Sequence, residues 1–362
     1  MLKGLRKFFF RMVAGANIAT IVIMFLIGQA GHLSPIEHPM LTNAGLVYPV
    51  FLLINLAFMI FWLIFYWKGV FIPIVGYLLC YPSLRVYLPL NLSSAPPDDA
   101  IKVMSYNVCR FAQGTIRDDG TNPIIEYIKQ SEAGIVCLQE ASSDLISQKK
   151  IRDELSAVYQ YCDTAVRRYS GNTIAVYSKY PIVGKESIPF DSKWNISAAF
   201  KLLIDNDTVI VINNHLETNK LLSEEQERFK HMIRNREKKE VVSTSRLLID
   251  RLAEAAVTRQ PEALAVAEYI RMHDGVPMIV LGDFNDNPLS YSRRVIVDGL
   301  TDCFVATGCG PGWTFNKSGM YVRIDNIFCS RDWEPYQCKI DRKIIDSDHY
   351  PIVCWLKKRA KH

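Results

Sequence analysis

Residues 45–67 run for 23 positions without a charged side chain. A helix rises about 1.5 Å per residue, so a run of this length is long enough to cross the hydrocarbon core of a bilayer, which is about 30 Å thick. Trp62, Tyr66 and Trp67 cluster at its end, where interfacial aromatic residues are common. Since lipid offers no partner for unpaired backbone groups, such a segment must fold as a helix.

Two further apolar stretches flank this run. Residues 8–28 are interrupted by one arginine and one asparagine, and residues 70–87 contain two prolines and one arginine. A cleaved signal peptide would also explain the first stretch, because basic residues precede it and residues 28–30 resemble a small-x-small cleavage site. The long uncharged run that follows favours an anchor of about three helices instead. We predict an all-α transmembrane segment over residues 1–90.

The charges are divided unevenly along the chain. Residues 1–97 hold six of the 42 basic residues and one of the 37 acidic residues, so residues 98–362 hold 36 of each and have no net charge. Tight nucleic-acid binders usually carry a basic face. The bulk charge of the C-terminal part therefore gives no support to DNA or RNA as the substrate.

The basic residues also indicate an orientation, because cytoplasmic loops are enriched in Lys and Arg. Four of them lie within the first eleven residues, residues 31–44 contain none, and Lys68 follows the second stretch. If the third stretch crosses the bilayer, everything after about residue 90 lies outside the cytoplasm; if it only lies in the interface, the remainder is cytoplasmic. We expect a crossing, and hence a multi-pass protein of the inner (plasma) membrane with a periplasmic domain.

Cysteine usage points mildly the other way. The nine cysteines include no C-x-x-C pair, and several stand inside apolar runs. This pattern does not suggest a disulfide framework, and unpaired thiols are more usual in a reducing compartment. The two indications of location remain in conflict at the level of sequence.

Residues 91–99 are rich in Ser, Pro and Asp, which is typical of a linker. Short apolar runs with the length of buried strands then recur through residues 100–362. The strand-like runs are 101–108, 134–138, 173–177, 198–204, 208–213, 278–281, 322–328 and 352–356. Helical patterns cover 122–130, 148–156 and about 223–272. More strands than helices, with helices between some of them, predict a layered α/β domain.

Polar motifs stand inside or directly after many of these runs. They are Ser105-Tyr106-Asn107-Val108, Leu138-Gln139-Glu140, Gly171-Asn172-Thr173, Asn214-His215-Leu216, Gly282-Asp283-Phe284-Asn285, Arg323-Ile324-Asp325 and Ser347-Asp348-His349. Polar groups at buried strand ends cost free energy unless something pairs with them. Because a hard divalent cation takes carboxylate and amide oxygens as ligands, the pattern points to metal-assisted hydrolysis.

In this order and spacing, the motifs resemble the endonuclease/exonuclease/phosphatase superfamily, which includes deoxyribonuclease I-like nucleases and inositol-polyphosphate phosphatases. The resemblance covers about residues 100–357, and the anchor makes the chain similar to membrane-tethered bacterial members. It implies a four-layered α/β sandwich with the site at one edge of two packed sheets. The implied activity is phosphodiester or phosphomonoester hydrolysis by direct in-line attack of water.

The resemblance assigns the metal to three residues. Glu140 matches the metal-binding glutamate, Asn107 would bind the metal or its water, and Asp348 matches a metal-binding or metal-linked aspartate. The implied ion is Mg²⁺, with Mn²⁺ as an alternative. Without the resemblance, the glutamate would suit a helix cap and the asparagine a turn.

Further residues match catalytic positions. Asp283 would orient or deprotonate the attacking water, or bind a second metal, and Asn285 would donate to a phosphoryl oxygen. A spacing of two puts both side chains on one face of an extended segment, although it also suits an Asx turn. Asp325 and His349 resemble a carboxylate–imidazole couple, in which His349 is either the general base or a cation that stabilises the transition state.

Two more residues would meet the substrate. His215 matches the histidine of an Asn/Thr-His-Leu motif and would be the acid for the leaving oxygen, or a donor to the phosphate. Asn172 lies in a segment that resembles a substrate-facing loop. The charged stretch after His215 is either a solvated helical hairpin or a lid whose basic residues 234–239 meet a phosphate headgroup or the bilayer surface.

The substrate stays open among lipids, nucleic acids and small phosphate esters. The bilayer anchor favours a lipid, whereas the frequency of nucleases in the superfamily favours a nucleic acid. No protein partner is inferred. The alternative of a different class is a catalytically inactive phosphate-binding or scaffold module, which the full set of polar positions argues against.

Overall fold

The structure, a computed structural model, describes residues 2–219, 238–317 and 320–360, and it begins with a group of apolar helices. Helices α1 (Leu2–Gly28) and α2 (Tyr48–Phe65) are each long and apolar enough to cross a bilayer. Helices α3 (Phe71–Leu79) and α4 (Tyr81–Tyr87) form a pair bent by 70° that reaches this length only together. Short 3₁₀ helices join them, at Ala30–His32, Ala44–Val47 and Trp67–Val70.

A buried polar cluster joins α1 to α2. Asn17 donates through Nδ2 to Asn55 Oδ1 at 2.9 Å, and its own Oδ1 accepts from Trp62 Nε1 at 3.1 Å. Both asparagines are fully buried. Paired amides of this kind hold apolar helices together where lipid and side chains are equally apolar.

The bent pair runs along the whole helix group. At one end, Gly69 lies against the ring of Trp62, near the end of α2. At the other end, Ser83 in α4 donates to the carbonyl oxygen of Gly28, where α1 ends, at 3.0 Å. The pair therefore follows the path that a third membrane crossing would require.

Two six-stranded sheets make up the rest of the fold. The strands are β1 (Ile101–Asn107), β2 (Ile135–Gln139), β3 (Tyr161–Val166), β4 (Thr173–Ser178), β5 (Ile182–Ile188), β6 (Ile196–Ile204), β7 (Asp207–His215), β8 (Met278–Asp283), β9 (Thr301–Asp302), β10 (Asp325–Cys329), β11 (Trp333–Ile340) and β12 (Ile352–Lys358). The first sheet has the order β11-β12-β1-β2-β4-β3 and the second β5-β6-β7-β8-β10-β9. The pairs β1–β2 and β7–β8 are parallel, so both sheets are mixed.

Helices cover the outer face of each sheet. Helices α5 (Pro123–Gln130) and α6 (Gln148–Leu155) pack on the first sheet, and α7 (Lys238–Met272) and α8 (Tyr291–Ile296) pack on the second. The short α9 (Cys303–Thr307) follows β9. Alternate residues of a strand face opposite sides: Val103 enters the core between the sheets, whereas Met104 and Tyr106 face α5 and α6. The predicted four-layered α/β sandwich is confirmed.

The segment that leaves the helix group is attached to the sandwich. Asn91 donates through Nδ2 to the carbonyl oxygens of Val305 and Gly308 at 3.0 and 2.7 Å, and Gly310 N donates to Pro89 O at 2.8 Å. The start of the expected linker is therefore a packed strap. Residues 220–237, which contain most of the charged stretch proposed as a lid, lie outside the described residues.

Candidate active site

Strand register brings the polar motifs to one edge of the two sheets. Asn107 pairs with Gln139, next to Glu140, where β1 and β2 end. In the second sheet, His215 of β7 and Asp325 of β10 both pair with Asp283 of β8. Because paired strands are only about 4.8 Å apart, these side chains are immediate neighbours.

Gly282 allows strands β7 and β8 to approach each other closely at the site. Gly282 has φ +135°, and a Cβ there would meet the carbonyl oxygen of Asn214 at 2.1 Å. Glu140 and Asn285 also have left-handed backbones, with φ of 51° and 52°. Strained conformations of this kind persist where the surrounding structure fixes them, and they are common at functional sites.

Asn107 bridges two carboxylates. Its Nδ2 donates to Asp283 Oδ2 at 3.0 Å and approaches Glu140 Oε1 at 3.4 Å, while its Oδ1 accepts from Cys109 N at 3.1 Å. The side chain of Asp283 is only 1% exposed, and that of Glu140 is 35% exposed. Burial raises the pKa of Asp283, so this carboxylate needs a positive neighbour to stay ionised.

The predicted couple of Asp325 and His349 is present. His349 Nδ1 lies 2.8 Å from Asp325 Oδ2, and Nε2 lies 3.7 Å from Asp283 Oδ2. The rings of Phe315 and His349 pack at 73° to each other, with their centroids 5.3 Å apart. Burial alone would lower the pKa of His349, but the charges of Asp325 and Asp283 outweigh burial and raise it to about 10.

His215 occupies the other side of Asp283. Its Nε2 lies 3.9 Å from Asp283 Oδ2 and 4.0 Å from Glu140 Oε1. Asn172 Nδ2 lies 2.9 Å from His215 Nδ1 and donates to the carbonyl oxygen of Trp194, also at 2.9 Å. The Trp194 carbonyl fixes the amide with its nitrogen toward the ring, so neutral His215 accepts at Nδ1 and carries its hydrogen on Nε2. Asn172 thus orients His215.

The expected extended geometry of the Asp283–Asn285 pair is wrong. Strand β8 ends at Asp283, and Asp283 Oδ1 accepts from Asn285 N at 2.8 Å. The pair is thus the Asx turn that the spacing also suits. Asn285 Nδ2 donates to the carbonyl oxygen of Leu216 at 3.0 Å, and an amide nitrogen has a second N–H to offer.

The last motif is held beside β1 and faces the same space. Ser347 donates to the carbonyl oxygen of Asn107 at 2.8 Å, and Asp348 Oδ2 lies 3.5 Å from Lys317 Nζ. A cavity of about 700 Å³ is lined by eight of the nine sequence-predicted site residues: Asn107, Glu140, Asn172, His215, Asp283, Asn285, Asp348 and His349. The ninth, Asp325, lies behind the ring of His349.

Sequence reasoning missed a buried network that supports the site. Arg259 of α7 is fully buried. Its guanidinium lies 2.9 Å from Asp286 Oδ2 and donates to Asn219 Oδ1 and to the carbonyl oxygen of Glu217, both at 2.8 Å. The arginine thus holds the two segments that follow β7 and β8, and these strands end in His215 and Asp283. A lone arginine in an amphipathic helix gives no sequence signal for this role.

The donor set fits a hard divalent cation. Asp283, Asp325 and His349 each place a ligand atom within 4.8 Å of the others, and Glu140 and Asp348 face the same cavity. Asp325 Oδ1 is buried and has no hydrogen-bond partner among the described residues. Carboxylate and amide oxygens that face one cavity are the ligands that such a cation takes.

Two family models match the chain. The profile of the "Endonuclease/Exonuclease/phosphatase family" matches residues 104–349, and that of "Domain of unknown function (DUF8431)" matches residues 6–87. No curated protein matches the chain significantly.

Solved structures resemble the chain in fold at low identity. A family protein from Leptotrichia buccalis is 13% identical with a TM-score of 0.50, over 71% of this chain and 100% of that one. A Bacteroides thetaiotaomicron family protein is 18% identical with a TM-score of 0.46, over 71% and 97%. The human Nocturnin catalytic domain is 16% identical with a TM-score of 0.49, over 72% and 94%.

Proposed function

The chain belongs to the endonuclease/exonuclease/phosphatase family, and from that membership and the geometry of the site we propose that it is a membrane-anchored, divalent-metal-dependent phosphoesterase. The observation that carries the proposal is Asp283, a buried carboxylate with His349 Nε2 3.7 Å away on one side and His215 Nε2 3.9 Å away on the other. Two imidazoles around one acid, beside further carboxylates, suit hydrolysis of a phosphate ester by water.

Glu140, Asp348 and Asn107 are the residues that would hold Mg²⁺, or Mn²⁺ in its place. Bound there, the ion would neutralise and orient the phosphate. Asn107 directs Nδ2 toward the carboxylates. A half-turn of its amide would present Oδ1 instead, at the cost of the hydrogen bond from Cys109 N. We prefer this set to Asp325 and His349, because His349 Nδ1 is already bonded to Asp325.

The remaining side chains would manage protons and phosphate charge. Asp283 would orient the attacking water, whose oxygen bonds to phosphorus as the ester P–O bond breaks. His215 would hydrogen-bond the phosphate or the departing oxygen through Nε2–H; to act as the acid it would need a second proton on Nδ1 and an Asn172 amide turned to accept it. His349 would meet a phosphoryl oxygen through Nε2–H, since its Nδ1 is held by Asp325. Direct attack of water needs no serine or cysteine nucleophile, so we expect no covalent intermediate.

Turnover by the purified full-length chain in detergent tests the proposal. We expect hydrolysis of bis-p-nitrophenyl phosphate or p-nitrophenyl phosphate with Mg²⁺ or Mn²⁺, and none with a chelator. Glu140→Gln should lower kcat/KM about 100-fold or more, since metal-ion catalysis supplies several kcal/mol. The matched variant Glu154→Gln, on the outer helix α6, should behave as wild type.

Two results would contradict the proposal in different ways. Absence of turnover with every divalent cation would favour an inactive phosphate-binding module. Wild-type turnover by a folded Glu140→Gln variant would remove Glu140 from the metal site while leaving the phosphoesterase activity standing.

A further inference from the structure

The N-terminal helix group contributes a wall of the active-site cavity. Asn43, Leu46 and Val47 line the cavity together with the catalytic side chains. Their segment is held in place by close packing: a Cβ on Gly45 would meet Asn287 Oδ1 at 2.4 Å, and Ile36 N donates to Gln260 Oε1 at 3.0 Å. The site is therefore complete only when the helix group lies against the sandwich.

Leu46 and Val47 also belong to a candidate membrane span, which consists of the 3₁₀ helix Ala44–Val47 and the α-helix α2 that follows it. That candidate span covers the 22 residues Ala44–Phe65, which at about 1.5 Å per residue matches a hydrocarbon core about 30 Å thick. Its first turn must then lie at the bilayer surface. Because the same turn forms part of the cavity wall, the cavity lies at the level of the lipid headgroups.

Three apolar or aromatic residues of the cavity rim are exposed, although the lining also includes the exposed Arg110. Val47, Trp194 and Tyr321 line the rim and are 47%, 57% and 54% exposed. Val50 and Leu53, which are 52% and 66% exposed, follow Val47 at a spacing of three residues, and residues so spaced are neighbours on a helix surface. An apolar track therefore leads from the cavity rim along α2 toward the interior of the bilayer.

The polar base and the apolar rim together select an amphiphile. Building on the phosphoesterase function proposed above, we propose that the substrate is a lipid-linked phosphate ester drawn from the bilayer that holds the anchor. Its phosphate lies among Glu140, Asp283 and the two imidazoles, and its tail lies along the track from Val47 to Leu53. Water supplies the oxygen that bonds to phosphorus, the ester P–O bond breaks, and the departing oxygen takes a water proton.

A pair of diesters with the same reacting bond tests this substrate class. The full-length chain in phosphatidylcholine nanodiscs is given methyl p-nitrophenyl phosphate and dodecyl p-nitrophenyl phosphate with Mg²⁺. We expect kcat/KM to be at least about tenfold higher for the dodecyl ester, because buried methylenes add binding energy and the cavity is reached from the membrane. A water-facing site would instead lose activity as the dodecyl ester partitions into lipid.

The outcomes separate this inference from the function on which it rests. Clear turnover of the methyl ester with no gain for the dodecyl ester would overturn the lipid substrate and leave the phosphoesterase intact. Turnover of neither diester, nor of the monoester p-nitrophenyl phosphate, would reject the phosphoesterase itself. Cleavage of plasmid DNA with a kcat/KM above that of the dodecyl ester would also overturn the lipid substrate.

Variants of two residues in the cavity wall test where the tail of the lipid substrate lies. Leu46→Asn and Val47→Asn should each lower the ratio of kcat/KM for dodecyl over methyl ester several-fold. The matched control is Leu41→Asn, since Leu41 is 56% exposed in the same segment but outside the cavity wall, and it should keep the wild-type ratio. An equal loss in the Leu41 variant would reject the track along α2.

Discussion

Asp325 is connected to the cavity through His349. The carboxylate lies behind the ring, bonded to Nδ1 at 2.8 Å, whereas His349 itself lines the cavity. Loss of a group that orients a catalytic side chain usually costs about 10- to 100-fold, and we expect Asp325→Asn to lower kcat by that factor. Because the two residues form one unit, adding Asp325→Asn to His349→Gln should cost little more. Kinetics of the three variants check this, and fully multiplicative losses would mean that the residues work independently.

At this scale, the sequence predicted which residues meet but not how each is held. Asn107 and His349 are 242 positions apart in the sequence. They converge because Asn107 ends one buried strand and His349 precedes another, at the same edge of the sheet. The left-handed backbone of Glu140 and the Asx turn after Asp283 depend on close tertiary contacts. Trp194, whose carbonyl oxygen fixes Asn172, lies in an irregular segment with no motif around it.

Among the elements, a left-handed turn follows Asn107. Five consecutive non-glycine residues, Cys109–Gln113, have φ between 44° and 57°. The left-handed conformation costs an L-residue about 1–2 kcal/mol, so the sandwich must stabilise this turn at the margin of the site. The sequence Cys-Arg-Phe-Ala-Gln contains no glycine or asparagine that would have indicated it.

Relief of that strain should stabilise the fold. Gln113 is exposed, with φ 53°, and glycine adopts this conformation freely. We expect Gln113→Gly to raise the free energy of unfolding by about 1 kcal/mol. Lys149→Gly, at an exposed position of the right-handed helix α6, should lower it by about the same amount. Denaturation of the two variants would show opposite shifts, and a loss of stability in both would contradict the strain.

Helix α7 carries a buried acid with a pH-dependent effect on stability. Glu262 is fully buried, and its carboxylate accepts from Asn195 Nδ2 at 3.1 Å and from Glu217 N at 2.7 Å. Burial outweighs these hydrogen bonds and raises the pKa from 4.5 to about 7. A carboxyl that binds its proton more tightly when folded stabilises the protein fully below pH 4.5, and this stabilisation is lost as the pH rises through 7.

The contribution of Glu262 to the free energy of unfolding should fall by about 3 kcal/mol, at about 1.4 kcal/mol per pKa unit. We expect the free energy of unfolding to fall between pH 5 and pH 8 by more in the wild type than in Glu262→Gln, which cannot ionise. Glu254→Gln is the control on the same helix, since the Glu254 side chain is 73% exposed. Parallel pH profiles for the wild type and the Glu262 variant would show that Glu262 does not titrate in this range.

The strands that the sequence did not predict share one property. They are β3, β5, β9 and β11, and each stands at an edge of its sheet. Edge strands are half-exposed and carry polar residues and proline: β5 alternates exposed and half-buried positions, and β11 contains Pro335. Each central strand contains a short run of buried apolar residues and could be predicted from it. These runs were enough to predict the sandwich but not its edge strands.

For the whole molecule, the sequence separated the apolar helix group from the sandwich but did not predict the contact between them. The uncharged runs predicted the helices, and the polar motifs predicted the fold of the sandwich. No pattern indicates that residues 43–47 complete the active-site cavity, because that contact depends on packing between distant parts of the chain. Of the nine free cysteines, six are buried, so burial shields most thiols and lessens their argument against an oxidising compartment.

The contact between anchor and sandwich makes the topology testable. Residues 30–47 and the sandwich lie at one end of the helix group, while Lys68 lies at the other. Basic residues mark the cytoplasmic side, so the sandwich should be periplasmic. Alkaline phosphatase, which is active only outside the cytoplasm, should therefore be active when fused after Asn43 or His362 and inactive after Lys68. Green fluorescent protein should show the reverse. Whichever way the protein is oriented, the fusions after residues 43 and 362 should report the same side of the membrane. The reason is that α3 and α4 bring the chain back to the end of the helix group where α1 ends. Opposite signals from these two sites would mean that the third apolar stretch does not cross, and the cavity wall assigned to Leu46 and Val47 would then lie across the membrane from the catalytic residues.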